Sequence, residues 1–334
     1  MNKKIVFAYS SAVVVLLISM WLGVSIGSVK IPLEVLWNPQ ANDTAASILW
    51  KIRMPRVLLA ALVGASLAIA GAAFQGLLKN PLADPYTLGI SSGASVGAVG
   101  TIFFGISIPF VGLFTLPLIS MGAAVMTMFF VVSFAKMVDR TLKMETFILT
   151  GIIVSSFLGS MISLMIALTG EELRQIMSWL LGSVSMRGWP YVQMILPFVI
   201  IGGFLVWLNR RELNAMLYGE ERAKYLGVNV RRSKMQVLIG GSMLTGAAVA
   251  VSGTIGFVGL VVPHMTRMLW GADHRHLLPL SLLYGAALLV VCDLVARTII
   301  APAELPIGVI TAFLGAPVFA YIFFKQRRRK GGIA

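Results

Sequence analysis

The stretch RRELNAMLYGEERAKYLGVNVRRSK, residues 210–234, decides how the rest of the chain must be read. It is a charged island in an apolar chain. It holds seven Lys/Arg residues (Arg210, Arg211, Arg222, Lys224, Arg231, Arg232 and Lys234) and three glutamates (Glu212, Glu220 and Glu221). Apolar blocks flank it on both sides, so it lies in water between membrane spans. Its pattern predicts two short helices. Leu213, Met216 and Leu217 share a face of the first by i, i+3 and i+4 spacing. Gly219 breaks the chain. Ala223 and Leu226 share a face of the second, Glu220 and Lys224 form an i,i+4 pair, and Gly227 stands where a helix C-cap favours glycine. Two readings stay open on pattern alone: a docking surface for another protein, or a solvated loop with helical propensity.

Outward from the island, the chain is apolar almost throughout. Of 334 residues, 58% are hydrophobic and 12% charged, against about 25% charged in a soluble domain. Apolar blocks of roughly 18 to 25 residues recur, the length of a helix that crosses a bilayer. The short alternating segments of a membrane barrel are absent. The fold class is therefore all-α, a polytopic membrane protein forming a single transmembrane domain over 1–334. Ten spans are expected, at about 5–27, 56–78, 88–105, 111–135, 145–169, 189–208, 235–252, 255–270, 277–299 and 306–324. The eighth contains Gly256, Gly259 and Pro263 and is expected to be a partial or broken helix. Lys3 and Lys4 precede a long apolar run with no small-residue cleavage site, which reads as a retained first span rather than a signal peptide.

The net charge of +14 does not imply nucleic acid, because the charges lie in short loops between spans. With the N-terminus inside, 20 of the 27 basic residues fall on the inner side. That asymmetry places both termini in the cytoplasm and requires an even number of spans. The seven outer basic residues include Arg53 and Arg56, which bracket a proline at the mouth of span two, and Arg297 at the outer end of span nine. They read either as a ring of positive charge for the acidic groups of an extracytoplasmic partner, or as side chains that snorkel to lipid or pair locally. For Arg297 the local partner is Asp293, four residues earlier, the only acid placed inside a span. Cys292 is the only cysteine, so no intramolecular disulfide is possible.

After span two, Pro81 and Pro85 enforce a turn. Gly89, Gly93 and Gly97 then recur every four residues and allow another helix to approach closely, either as ordinary packing or beside a translocation path. Span five begins near Glu145. Its Thr150, Ser155, Ser156 and Ser160 either face a water-filled path or bond their own helix carbonyls. Residues 170–188 read as an amphipathic helix lying on the outer surface. Glu304 and Pro306 sit where the last span starts. At an offset of 182, Gly64, Ala65, Ala68 and Gly71 align with Gly246, Ala247, Ala250 and Gly253, and Pro81 and Gly89 align with Pro263 and Gly271. Such a repeat would be inverted, as in many transporters. His264, His274 and His276 lie in one polar segment with Asp273 and read as a loose cluster rather than a metal site. No G-x-x-x-x-G-K-[ST] phosphate loop is present, so this chain does not itself hydrolyse ATP. There is no series of intramembrane acids or histidines for a proton relay, which speaks against a secondary transporter driven by an ion gradient.

The run RMPRVLLAALVGASLAIAGAAFQGLLKNPLADPYTLGISSGAS, with GEERAKYLGV, GFVGLVVPHMTRML, DHRHLLPLS and AELPIGVITAFLGAPVF, resembles the permease subunits of iron-siderophore, haem and cobalamin ABC importers. The resemblance extends from about Arg53 to Phe324. It implies the ten-helix, inverted-repeat fold of a type II importer and a dimer of permeases, with a second copy or a paralogue. It implies two cytoplasmic ATPase subunits and an extracytoplasmic substrate-binding protein, in a bacterial cytoplasmic membrane. No cofactor is implied on this chain; ATP and magnesium belong to the ATPases. Segment 210–234 becomes the coupling segment between spans six and seven. Its Leu213, Met216, Leu217, Gly219, Glu220, Glu221, Arg222, Ala223, Leu226 and Gly227 meet the ATPase. Arg53, Arg56 and Arg297 become the arginines that meet acidic residues on the binding protein. Met144 and Glu145 take the position of a cytoplasmic gate, with Thr150, Ser155, Ser156, Gly89, Gly93 and Gly97 along the path. In the cobalamin member the gate carries small hydroxyl residues, so Met and Glu here point away from cobalamin. The resemblance implies iron-siderophore as the leading cargo, followed by cobalamin and haem, moved by alternating access as spans five and ten reorient.

Overall fold

A computed structural model of the chain describes residues 3–27, 43–139 and 144–331, and among these all regular structure is helical. Helix α1 is Lys3–Ser25. Short α2 (Asp43–Ser47) runs through a π-helical turn, Ile48–Arg53, into α3 (Met54–Leu77), whose first turn contains Pro55. Then come α4 (Ile90–Phe103), α5 (Thr115–Val138), α6 (Met144–Leu168), α7 (Leu173–Leu180) and α8 (Gly188–Leu208). The charged island forms α9 (Arg210–Leu217) and α10 (Glu220–Tyr225). The chain closes with α11 (Val230–Ser252), α12 (Val258–Trp270), α13 (His274–Thr298) and α14 (Ile307–Gly331).

Each of the ten expected blocks falls on a helix, but fewer reach full span length. Among the described residues, seven helices are long and apolar enough to cross a membrane; α14 runs 25 residues from Ile307 to Gly331, whereas α4 has only 14. Helix α12 has only 13 residues, as its glycines and proline suggested. The cause is local backbone. Gly89 takes φ +81 to start α4, and the chain before α12 passes through Gly253 (φ +71) and Phe257 (φ +67). These non-helical stretches need partners when buried. Tyr86 supplies one: its hydroxyl lies 2.6 Å from the Ile255 N–H. Within the first turn of α12, Gln75 donates to the Gly259 and Leu260 carbonyls at 3.4 and 3.1 Å, the former left without its helical donor by Pro263. Hydropathy could not separate the two kinds of block, because burial in protein and burial in lipid both select apolar residues.

Helix α3 is the centre. In its most apolar window 89% of residues are buried, against 17% in α1 and α6, whose outer faces are therefore open to lipid or a partner. Small residues let its neighbours in. A Cβ on Gly64 would stand 2.2 Å from the Gly285 carbonyl of α13, and one on Gly71 1.8 Å from the Gly259 carbonyl of α12.

The packing repeats between halves α3–α6 and α11–α14. Helix α3 packs on α13 and α12, as α11 packs on α5 and α4; α4 lies against α5 and α6, as α12 lies against α13 and α14. The offset of 182 matches partners at one position: Gly64 faces α13, and Gly246 faces Ala124 of the matching α5, but Gly71 packs on α12 whereas Gly253 lies past the end of α11 and meets Trp179. It fails beyond. Gly89 begins α4, whereas Gly271 ends α12, because the loops before the two short helices differ in length.

Candidate functional site

Two places concentrate chemistry. The first is the α9–α10 hairpin. Gly219, at φ +118, makes the predicted break. Gly227, at φ +81, closes α10 as a Schellman turn: Val228 N–H donates to the Ala223 carbonyl (3.0 Å) and Gly227 N–H to that of Lys224 (2.9 Å). The faces are not shared out as the spacing implied. Leu213, Met216 and Ala223 are fully buried in the protein's own core. They anchor the hairpin and are not free to meet a partner. The exposed apolar side consists of Leu217 (39% exposed), Tyr218 (73%), Tyr225 (88%) and Leu226 (72%). The two tyrosines were missed by the helical spacing. Their signal was composition: they are the only aromatic residues in an otherwise charged island.

The expected Glu220–Lys224 pair is also corrected. Lys224 pairs with Glu221 at 2.7 Å, and Glu220 reaches Lys234 of α11, also at 2.7 Å. Glu220 and Glu221 project differently, and only Glu220 faces α11. The Glu221 carboxylate raises the pKa of Lys224. On its inner side α9 is pinned to α13 by Asn214. Asn214 Oδ1 accepts from His274 N–H (2.9 Å) and lies 2.8 Å from His274 Nδ1, while Asn214 Nδ2 donates to Asp273 Oδ1 (2.6 Å). Asp273 in turn caps α13 by accepting from Arg275 N–H. A cavity of about 390 Å³ opens under the hairpin between Asn209, Glu212, Val228 and Arg232.

The second place is a buried charge cluster at the start of α3. Arg53, Arg56 and Arg297 are only 4%, 9% and 5% exposed. Of the readings the sequence left open, local pairing is present: each is already engaged with this chain. Arg56 sits between two carboxylates. Its Nε donates to both Asp293 oxygens (2.9 and 3.1 Å), while Nη1 and Nη2 donate to Glu304 at 2.7 and 3.1 Å. Nη1 also lies 3.4 Å from Ser185 Oγ. Arg53 donates to the Val24 and Ser25 carbonyls (3.0 and 2.9 Å). Arg297 donates from Nη2 to the Gly23 carbonyl.

Asp293 was expected to pair with Arg297, but that contact is 3.6 Å and looser than the Arg56 contacts. The close approach of α3 and α13 at Gly64 and Gly285 lays the Arg56 fork against the carboxylate. In the sequence Glu304 marks only a helix start. No local signal reveals a partner 248 positions away.

The remaining candidates separate. Met144 begins α6, but its side chain lies outside the described residues. Glu145 and Ser156 are exposed, and Thr150 is buried. Ser155 Oγ is buried with no hydrogen-bond partner among the described residues. Ser160 bonds the Ser156 carbonyl at 3.0 Å, as an isolated helix would have it. Gly93 and Gly97 serve packing, since Cβ atoms there would meet Thr127 and Ala123 of α5 at 2.1 and 2.7 Å; Gly89 faces α6. Helix α7 is amphipathic as expected, but it buries Ile176 and Trp179. It is tied to the chain before α12, because Thr254 Oγ1 donates to the Leu180 carbonyl. The three histidines part company: His274 faces Asn214, His276 lies 3.3 Å from the Tyr9 hydroxyl, and His264 is buried in α12.

Comparison with known proteins gives one answer. Residues 15–325 match the FecCD transport family model. The chain is 60% identical to the uncharacterised ABC transporter permease protein YvrB of Bacillus subtilis (strain 168), over 94% of this chain and 92% of that one. It is 40% identical to the hemin transport system permease protein HmuU of Yersinia pestis, over 95% and 96%. Other relatives are named for import of cobalamin, Fe(3+) dicitrate and molybdate. Among solved structures, one described as an inward-facing conformation of a metal-chelate type ABC transporter superposes with a TM-score of 0.85 at 32% identity, covering 94% of this chain and 98% of that one.

Proposed function

The chain belongs to the FecCD transport family and is an ABC importer permease, and from that premise we propose that its cargo is an iron(III)–siderophore complex. What carries the proposal is the likeness to importers of chelated metal, seen in the solved structure and in the hemin and Fe(3+) dicitrate relatives. A haem cargo is the second reading, favoured by 40% identity to the hemin permease along nearly its whole length. The protein is a transport subunit rather than an enzyme.

The hairpin is proposed as the contact with the ATPase. Leu213, Met216 and Ala223 root it in the permease; Leu217, Tyr218, Tyr225 and Leu226 offer an apolar face, with Glu221, Arg222 and Lys224 around it. Mg-ATP would be held by the ATPase. Asn214 would pass motion of the hairpin into α13. The open outer face of α6, including Ser156, and the exposed Phe313 and Leu314 of α14 would meet a second permease copy along the path, with Glu145 and Met144 at its inner mouth. Arg53, Arg56 and Arg297 are proposed to receive carboxylates of the substrate-binding protein. In this arrangement the hairpin end is cytoplasmic and the arginine cluster faces outward.

Uptake of radiolabelled ferric siderophore, in cells with and without the chain, tests the cargo. Uptake should be lost on deletion and unaffected by excess unlabelled haem or cobalamin. Intact ferric siderophore uptake in the deletion strain, with loss of haem uptake instead, would favour the second reading.

A further inference from the structure

The three arginines proposed for docking are buried, so a partner's carboxylate can reach them only if something above them moves. Asp293 is not that element. It is 1% exposed, lies in the middle of the cluster and is held from α13. Glu304 is. Its side chain is 39% exposed, and it closes the outer side of the Arg56 guanidinium with two hydrogen bonds. It belongs to a segment, 298–304, in which every residue is exposed. Beyond the Arg56 bonds, the anchors next to it are Leu305 N–H on the Ala296 carbonyl (2.9 Å) and Ile307 N–H on that of Gly182 (3.0 Å). Helix α14 begins at Ile307.

We infer that Glu304 is an exchangeable carboxylate: it occupies Arg56 in the undocked permease, and a carboxylate of the binding protein replaces it on docking, releasing the segment that leads into α14. This rests on the docking role proposed above. The exchange is chemically even, because one bidentate carboxylate replaces another on the same fork. Electrostatics favours it. Three arginines and two carboxylates act on one another in the cluster, leaving a net positive charge that attracts an incoming carboxylate. Hydrogen bonds from Arg56 and Ser185 hold the Glu304 carboxyl ionised against the cost of burial, so Glu304 competes as an anion. Docking would then alter the start of α14 through one ion-pair swap.

The test uses the assembled importer in lipid nanodiscs and the substrate-binding protein from the same cells. Affinity is measured for wild type across a salt series and for Glu304→Gln at low salt. Wild-type docking should weaken steeply with salt. Glu304→Gln, whose side chain lies at the rim and whose loss leaves Asp293 in place, should bind about fivefold tighter or more, the scale of a typical coupling between sites. Salt-dependent wild-type docking with unchanged affinity in Glu304→Gln would overturn the exchange and leave the docking role standing. Salt-independent wild-type docking would remove the docking role and the exchange with it.

Discussion

Arg56 shows what one side chain decides here. It joins α3, α13 and the segment before α14 through two carboxylates. Removing one partner of a buried pair strands the other's charge. Asp293→Asn is therefore expected to destabilise the permease by about 3–5 kcal/mol, read as a lower unfolding temperature in detergent. An unchanged midpoint would mean that Arg297 or water compensates. Glu304 behaves differently because it is half exposed. Burial pushes its pKa up, but hydrogen bonds and charge from Arg56, with help from Ser185 and Arg297, bring it below the ordinary value. A carboxyl lowered in the folded state contributes stability above its unfolded pKa and loses it as pH falls through the folded one. Below about pH 4.3, the ordinary glutamate value, wild type should lose thermal stability more steeply than Glu304→Gln. Equal slopes would contradict the pairing. None of this was legible in the sequence. Asp293 and Arg297 are four residues apart and look like partners, whereas the tighter contact spans 237 positions and needs the α3–α13 approach to exist.

At the scale of elements the sequence was more open. Gly219 and Gly227 marked the hairpin's break and end, because both positions need positive φ. Helical spacing put Leu213 and Met216 together correctly. It could not say whether that face turned outward or into the permease, since periodicity names a face and not its neighbour. The short α12 posed the same problem, because its apolar block includes non-helical backbone whose Ile255 N–H is taken by Tyr86. Close helix contacts give a clean test. The Gly71 Cβ position lies 1.8 Å from the Gly259 carbonyl, so Gly71→Ala must push α3 and α12 apart. A loss of about 1–3 kcal/mol is expected, the usual cost of overpacking, seen in thermal unfolding. No loss would mean the two helices are free to slide.

Over the whole molecule, composition and block length established a polytopic helical protein, and long motif runs identified the family. The residue offset of the repeat matched at Gly64 and Gly246 and was out of register by Gly71 and Gly253. Packing partners, not residue offsets, are what the two halves share. The cargo was not legible: relatives named for haem, cobalamin, Fe(3+) dicitrate and molybdate share the family. The family therefore specifies the machine and not the cargo, and the hairpin is the part proposed to drive it. The most direct measurement is ATPase retention on the purified permease, together with siderophore uptake, for Tyr225→Ala/Leu226→Ala against wild type. Both side chains are largely exposed, so the variant should reach the membrane in normal amounts. If the hairpin couples the subunits, ATPase retention should fall about tenfold, the effect of losing roughly 1.4 kcal/mol of binding, and uptake should fall with it. Full retention and full uptake in that variant would contradict the coupling role of the hairpin.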